Sequence, residues 1–266
     1  MIYASTFLLD SGFDAICLNY ITETNYNKYV KEIDNSDVIV LPMPLSRDKI
    51  NVCGTVTQTG EFKITDLYSR INEKSLILTS SKPSESIFES TKFINYSNSE
   101  SYIQENAYIT AEGALGHILQ NSPKTLISSK ILLLGWGRIA KHLYNLIASI
   151  GVKPAIVLRN IDLLSKLKEN AIEAYSFEEL DNIIDSFDVI VNTVPSQVIS
   201  EKSLIKTKPD VYISELASEP GGYNHALALE LEKSSYVLRG LPGICATESA
   251  GIALGKCVLS YLKTEV

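Results

Sequence analysis

Apolar residues along this chain gather in short runs, set apart by stretches whose apolar positions recur every three to four residues. Continuous apolar runs read as strands buried on both faces, and the longer period reads as amphipathic helix. The alternation is most regular from Lys130 onward. Residues 130–134 (KILLL), 154–158, 173–175, 188–192 (DVIVN), 211–215 (VYISE) and 237–238 are predicted strands. Helices are predicted between them over 139–150, 163–170, 177–184 and 227–233. A repeated β-α-β-α-β order implies right-handed crossovers and a doubly wound parallel sheet.

The first part of the chain carries the same rhythm less regularly. Residues 14–18, 37–41 (DVIVL, ending at Pro42) and 76–80 (LILTS) are predicted strands, with helices over 2–9 and 26–33. The chain therefore opens on a helix where an α/β unit ordinarily opens on a strand. A helix over 107–119, with Thr110 as a cap and Glu112 in its first turn, bridges to the second region. The expected fold is α/β with two Rossmann-like domains. Residues 1–106 form a smaller substrate domain that lacks its first strand, with the last helix, 247–264, able to pack back on it. Residues 107–246 form the dinucleotide-binding domain.

Composition narrows the class. A chain of 266 residues with 45% apolar and 21% charged residues has the length for two domains and the means to fill their cores. Its net charge of −7 comes without a basic run, which argues against nucleic acid as a partner. Cys17, Cys53, Cys245 and Cys257 have neither metal-ligand spacing nor the density of a disulfide scaffold, and are expected to be reduced thiols. The three histidines, His117, His142 and His225, share no metal spacing either, so no metal is expected. With no signal-peptide pattern and no apolar run long enough to span a bilayer, a soluble cytoplasmic protein is predicted.

The chemistry is carried by Gly135-Trp136-Gly137-Arg138-Ile139-Ala140, which closes the KILLL run and opens an amphipathic helix. A glycine pattern of this kind is weak alone, but strand before and helix after are the required context. Gly135 permits the tight turn, Gly137 lets the backbone approach a pyrophosphate, and Ala140 keeps the helix near the sheet. Free amides and the helix dipole then receive the phosphate charge. After the second strand stand Arg159 and Asn160, where an NAD-binding domain carries an acid for the ribose hydroxyls. A guanidinium there suits a 2′-phosphate, so NADP is favoured over NAD.

Three more turns fall at carboxyl ends of predicted strands, where ligands of open α/β sheets bind. They are Thr193-Val194-Pro195-Ser196 after Asn192, the Ala217-Ser218-Glu219-Pro220-Gly221-Gly222 stretch, and Gly240-Leu241-Pro242-Gly243-Ile244. Thr193, Val194, Pro195, Ala217, Ser218, Pro242 and Gly243 are accordingly candidate cofactor contacts, together with Gly135 to Ile139, Arg159 and Asn160.

Taken with Thr110-Ala-Glu-Gly113, these motifs resemble the A-subunit family of dipicolinate synthase from spore-forming bacteria. The likeness runs from about Asp37 onward and is most specific in the second domain. It implies NADP-dependent oxidation of a 4-hydroxy-tetrahydrodipicolinate or dihydrodipicolinate intermediate, on a branch of the lysine pathway, to pyridine-2,6-dicarboxylate during sporulation. It also implies a partner, the flavoprotein-like B subunit of dipicolinate synthase, and the mother-cell cytoplasm as location. Members of that family begin with a strand and a glycine-rich turn ahead of the helix that starts here at Ile2.

A dianionic substrate needs donors. Arg47 after the DVIVL strand, Ser80 and Ser81 after LILTS, and Thr247 and Ser249 at the start of the last helix are the candidates. Glu112 and Thr110 are the candidate catalytic pair, Glu112 by orienting a base or a water. Two other functions stay open: a different two-domain dehydrogenase of a 2-hydroxy or 2-amino acid, and a non-catalytic NADP-binding subunit. The first usually carries a His-acid or Lys-His pair, and no histidine here has that context.

Overall fold

The structure is a computed structural model that describes residues 1–17, 20–21, 31–46, 48–57, 60–80 and 92–265. The chain divides into two compact units, Met1–Glu105 with Thr247–Val266, and Asn106–Ala246.

In the first unit, β2 (Val38–Val40), β5 (Leu76–Thr79) and β6 (Phe93–Asn95) form a parallel sheet in the order β2-β5-β6. A second small sheet sets β1 (Tyr20–Ile21) parallel to β3 (Asn51–Thr57), which runs antiparallel to β4 (Gly60–Lys63). Ile77 and Leu78 of β5 are fully buried, and the buried Tyr96 hydroxyl donates to the Leu41 carbonyl at 3.0 Å. The helix Ile2–Asp10 lies against the helix Thr247–Glu265. Gly251 and Gly255, one turn apart, allow that approach: a Cβ on them would stand 2.5 Å from Tyr3 Cβ and 2.7 Å from Phe7 Cδ1.

The second unit holds a six-stranded, wholly parallel sheet. Its strands are β7 (Ile131–Leu134), β8 (Ala155–Val157), β9 (Ala174–Tyr175), β10 (Val189–Asn192), β11 (Tyr212–Glu215) and β12 (Ser234–Val237). Their spatial order is β12-β11-β10-β7-β8-β9. Because side chains alternate along a strand, Ile131 and Leu133 enter one core while Leu132 and Leu134 enter the other. Both faces are therefore filled, which explains why the strands read as uninterrupted apolar runs. Chain order reverses between β7 and β10, and their carboxyl ends form the topological switch point at which such sheets bind ligands.

At the opposite end of β10, Asp188 accepts from Lys124 Nζ at 2.7 Å, Lys208 Nζ at 2.8 Å and the Lys130 amide at 2.8 Å. Burial pushes its carboxyl up. The hydrogen bonds from Lys124, Lys208 and Lys130 outweigh burial and leave it below the usual carboxylate range.

Several elements differ from the sequence reading. The bridging helix is longer, Glu100–Asn121: Glu100, Gln104 and Glu105 in its opening are good helix formers, and Gln104 donates to Glu100 one turn back at 2.7 Å. Residues 14–17 are irregular, and 18 lies outside the described residues, as do 26–30 of the helix expected over 26–33. Residues 31–35 are helical. The helix after the Gly221-Gly222 turn is His225–Glu230, started by Asn224 accepting from the Leu227 amide, and β12 begins earlier than expected. Strands β3, β4 and β6 and the helix Glu201–Lys206 have weak apolar patterns and went unpredicted.

Candidate functional site: a dinucleotide position at the switch point

The glycine turn follows β7 directly. Gly135 has φ +100°, a conformation that side chains rarely adopt, and its amide donates to Val157 on β8 at 2.8 Å. A Cβ there would lie 2.5 Å from Thr193 Oγ1 and 2.9 Å from Val194 Cγ2, so the turn is seated against the end of β10. Gly137 is the opposite case: a Cβ there would meet nothing within 4 Å. It caps the helix Arg138–Ser149 without a side-chain hydrogen bond, so the first amides of that helix are not taken up by its cap. An open approach to a helix N-terminus beside a glycine is what a diphosphate needs, and these residues fit a dinucleotide. Trp136 packs its ring edge-on against Tyr144 at 5.3 Å, so it presents main chain rather than indole at the turn. Ile139 joins the same core, and Arg138 opens the helix from an exposed position.

The β10 turn forms the facing wall. Thr193 ties it to the glycine turn, donating from Oγ1 to the Leu134 carbonyl at 2.8 Å and from its amide at 3.0 Å. Val194 is half-buried and Pro195 exposed. Across the switch point, Arg159 Nη2 donates to Ser196 Oγ at 2.8 Å, and the guanidinium carbon stands 5.8 Å from the centre of the Phe177 ring. The structure thus joins two turns through Arg159. Asn160 acts locally, its side chain accepting from the Leu163 amide and capping the helix Ile161–Glu169.

Two residues unmarked by the sequence reading organise the next turn. Asn192 is fully buried and Glu215 is 3% exposed, and they are bonded to each other at the ends of β10 and β11. Burial pushes the Glu215 carboxyl up, and hydrogen bonds from the Gly222 amide, Asn192 and the Ala217 amide, with the nearby Arg239 charge, offset only part of it. Their signal was present: an amide and an acid closing two buried strands are costly unless paired. Ala217 is buried and Ser218 exposed. After β12, Gly240 (φ +74°) opens the short helix Leu241–Cys245, with Pro242 half-buried and Gly243 exposed. Cys245 of that helix sits against Gly113, where a Cβ would lie 2.5 Å from its sulfur.

The candidate catalytic pair is placed differently from expectation. Helix Glu100–Asn121 starts two turns earlier than 107, so Thr110 is no cap. Its buried hydroxyl donates to the Asn106 carbonyl at 2.7 Å, which occupies the donor of a residue expected at the chemistry. Glu112 is not in the first turn, where Glu100 stands, but it is exposed and next to the Gly113–Cys245 contact. In the first unit, Ser80 is half-buried, with its carbonyl accepting from Ser97 Oγ at 2.8 Å. Thr247 and Ser249 are exposed at the start of the helix Thr247–Glu265. Arg47 and Ser81 lie outside the described residues. His117 and His225 are engaged away from these turns, through Nδ1, with the Tyr212 hydroxyl and with Ser235 Oγ, each at 2.7 Å. Among the described residues, no His, Cys, Asp or Glu cluster is placed to hold a metal, and no helix is long and apolar enough to cross a membrane.

No protein-family model matches the chain. Over 161 residues it is 29% identical to the A subunit of dipicolinate synthase from Bacillus subtilis (strain 168), a match spanning 60% of this chain and 54% of that protein. In structure it is similar to the dipicolinate synthase A chain of Bacillus subtilis, with a TM-score of 0.79 at 23% identity over 99% of this chain and 92% of that one. The chain is homologous to the A subunit of dipicolinate synthase. The Bacillus halodurans A subunit gives a TM-score of 0.77 at 21% identity, covering 87% of this chain and 81% of that one. A transhydrogenase of Sinorhizobium meliloti gives 0.65 at 12% identity, covering 99% and 89%, which speaks to fold alone. These structural likenesses, all under 25% identical, show the α/β fold of the chain. The sequence match spans about half the length of the curated relative.

Proposed function

We propose that the protein is the A subunit of a dipicolinate-forming oxidoreductase. It would use NADP to convert a 4-hydroxy-tetrahydrodipicolinate or dihydrodipicolinate intermediate to pyridine-2,6-dicarboxylate during sporulation, together with a B subunit, in the cytoplasm. The observation that carries the coenzyme assignment is the Arg159–Ser196 bond, which holds a guanidinium at the carboxyl end of β8 where an NAD site has an acid.

Loss of water from the hydroxylated ring leaves a dihydro ring. A hydride then leaves one ring carbon and a proton another site, giving the aromatic pyridine. A bound NADP supplies the hydride acceptor. The chain's own part is to hold the pyrophosphate at Gly137 and the helix amides after it, and the 2′-phosphate with Arg159 and Ser196. Thr193 to Pro195, Ala217, Ser218, Pro242 and Gly243 supply the remaining contacts. Glu112 is the candidate for taking the ring proton, or ordering the water that takes it, at its carboxylate. Thr110 supports that turn of helix from its bond to Asn106. Ser80, Thr247 and Ser249, with Arg47 and Ser81, are the candidate carboxylate partners.

The test is a titration with NADPH and NADH, followed by a mass-spectrometric assay for dipicolinate in the presence of the B subunit. Tighter NADPH binding and NADP-dependent product are expected. Coenzyme binding without product would leave a coenzyme-binding subunit, and failure to bind either coenzyme would end the proposal.

A further inference from the structure

The Asn192–Glu215 pair closes a circuit through three segments of chain. Asn192 Nδ2 donates to Glu215 Oε1 at 2.8 Å and Oε2 at 3.0 Å, and also to the Val194 carbonyl at 2.9 Å. Its Oδ1 accepts from the Val194 amide at 3.1 Å, which folds the β10 turn back onto its own strand. Glu215 in turn accepts from the Ala217 amide at 2.8 Å and the Gly222 amide at 2.6 Å, which folds the next turn onto β11. The Gly222 carbonyl then accepts from Val198 at 2.8 Å and Ile199 at 2.9 Å, returning to the segment that leaves the β10 turn. A Cβ on Gly222 would run into the Asn192 amide, so the circuit has no slack.

We propose that Glu215 is a positioning residue for the coenzyme, its carboxylate setting the Thr193–Ser196 and Ala217–Gly222 turns at the spacing the dinucleotide requires. Every group facing the two oxygens in these bonds is a donor: two main-chain amides and the Asn192 NH₂. Only an ionised acid offers acceptors on both oxygens, and a glutamine of the same shape turns its own NH₂ toward a donor. A buried donor left unmet forces one turn to move. Because Thr193 and Val194 also bear on Gly135, that movement reaches the glycine turn. The inference rests on the coenzyme site proposed above, and it assigns Glu215 no contact with the reacting atoms.

The test compares coenzyme affinity in Glu215→Gln, Arg159→Ala and Ile118→Ala, each confirmed folded by circular dichroism. Ile118 is a buried core residue on the helix Glu100–Asn121 outside the circuit. Glu215→Gln should weaken NADPH and NADH alike, by about tenfold (about 1.4 kcal/mol). Arg159→Ala should weaken NADPH alone, and Ile118→Ala should lower the melting temperature while leaving both affinities in place. Wild-type affinity in a folded Glu215→Gln overturns the positioning role and leaves the coenzyme site standing. A wild-type protein that binds neither coenzyme overturns both. If Glu215→Gln does not fold, Glu215→Asp, which keeps the charge on a shorter arm, should weaken both coenzymes, and unchanged affinity there is equally decisive against the role.

Discussion

Arg159 and Ser196, thirty-seven positions apart, meet at 2.8 Å across the switch point of the parallel sheet. The bond pre-aims a guanidinium that its own strand leaves exposed. A charge-assisted hydrogen bond to phosphate contributes roughly 1.5–3 kcal/mol, or about ten- to a hundredfold in affinity. Arg159→Ala should therefore raise the Kd for NADPH by that factor and hardly move NADH. Fluorescence titration reads both, and an equal loss for the two coenzymes would remove the 2′-phosphate assignment.

The two glycines of the fingerprint should respond in opposite ways. Gly137→Ala adds a methyl into open space, so the melting temperature should stay near that of the wild type while dinucleotide affinity falls at least about tenfold. Gly135→Ala meets Thr193 and Val194 and must hold φ +100°, so it should cost about 1–3 kcal/mol of stability before any ligand is added. Urea unfolding of the two variants side by side decides the matter. A destabilised Gly137→Ala with intact binding would show that the turn serves packing alone.

Asp188 sets an acid limit on the second unit. Its folded-state pKa lies below the ordinary value, so the stability it contributes is complete above the unfolded-state pKa of about 3.9 and is lost as pH falls through the folded value. Asp188→Asn should melt lower than wild type at pH 7, with the difference shrinking progressively below about pH 4. Thermal melts across pH 3–7 check this, and a difference that does not change with pH would mean that shape rather than charge holds Lys124 and Lys208.

Glu112→Gln separates chemistry from binding. If the Glu112 carboxylate handles the ring proton, turnover should fall about a hundredfold or more while NADPH affinity is unchanged. Thr110→Val, which removes a hydroxyl already spent on the Asn106 carbonyl, should cost far less turnover. Full activity in Glu112→Gln would move the proton to another group.

What could be read in advance follows from periodicity. Strands β7, β8 and β10 are buried on both faces, so their apolar runs are continuous and were visible, with the glycine turn located by the strand before it and the helix after it. Strand β12, with two serines and an exposed Val237, was caught only at its last residue. The opening of helix Glu100–Asn121 was hidden because its signal lies in helix propensity and one side-chain pair, Gln104 with Glu100, rather than in an apolar stripe. That shortfall misplaced Thr110 as a cap. In the first unit β2 and β5 showed as apolar runs, whereas β3 and β4 mix polar residues and glycine into their length and β6 is three residues long, so they carry little pattern. The Glu215–Asn192 bond spans twenty-three positions and appears only once β10 and β11 are neighbours.

The glycine-lined contact of the first and last helices ties folding to the order of biosynthesis. Residues 106–246 form a continuous stretch that holds its own two cores, so they can fold as soon as they leave the ribosome. Residues 1–105 emerge earlier, yet the surface that meets Tyr3 and Phe7 belongs to a segment translated after the whole second unit. Residues 1–105 therefore wait on the helix Thr247–Glu265, and without it the apolar side chains that it covers would stay open to water.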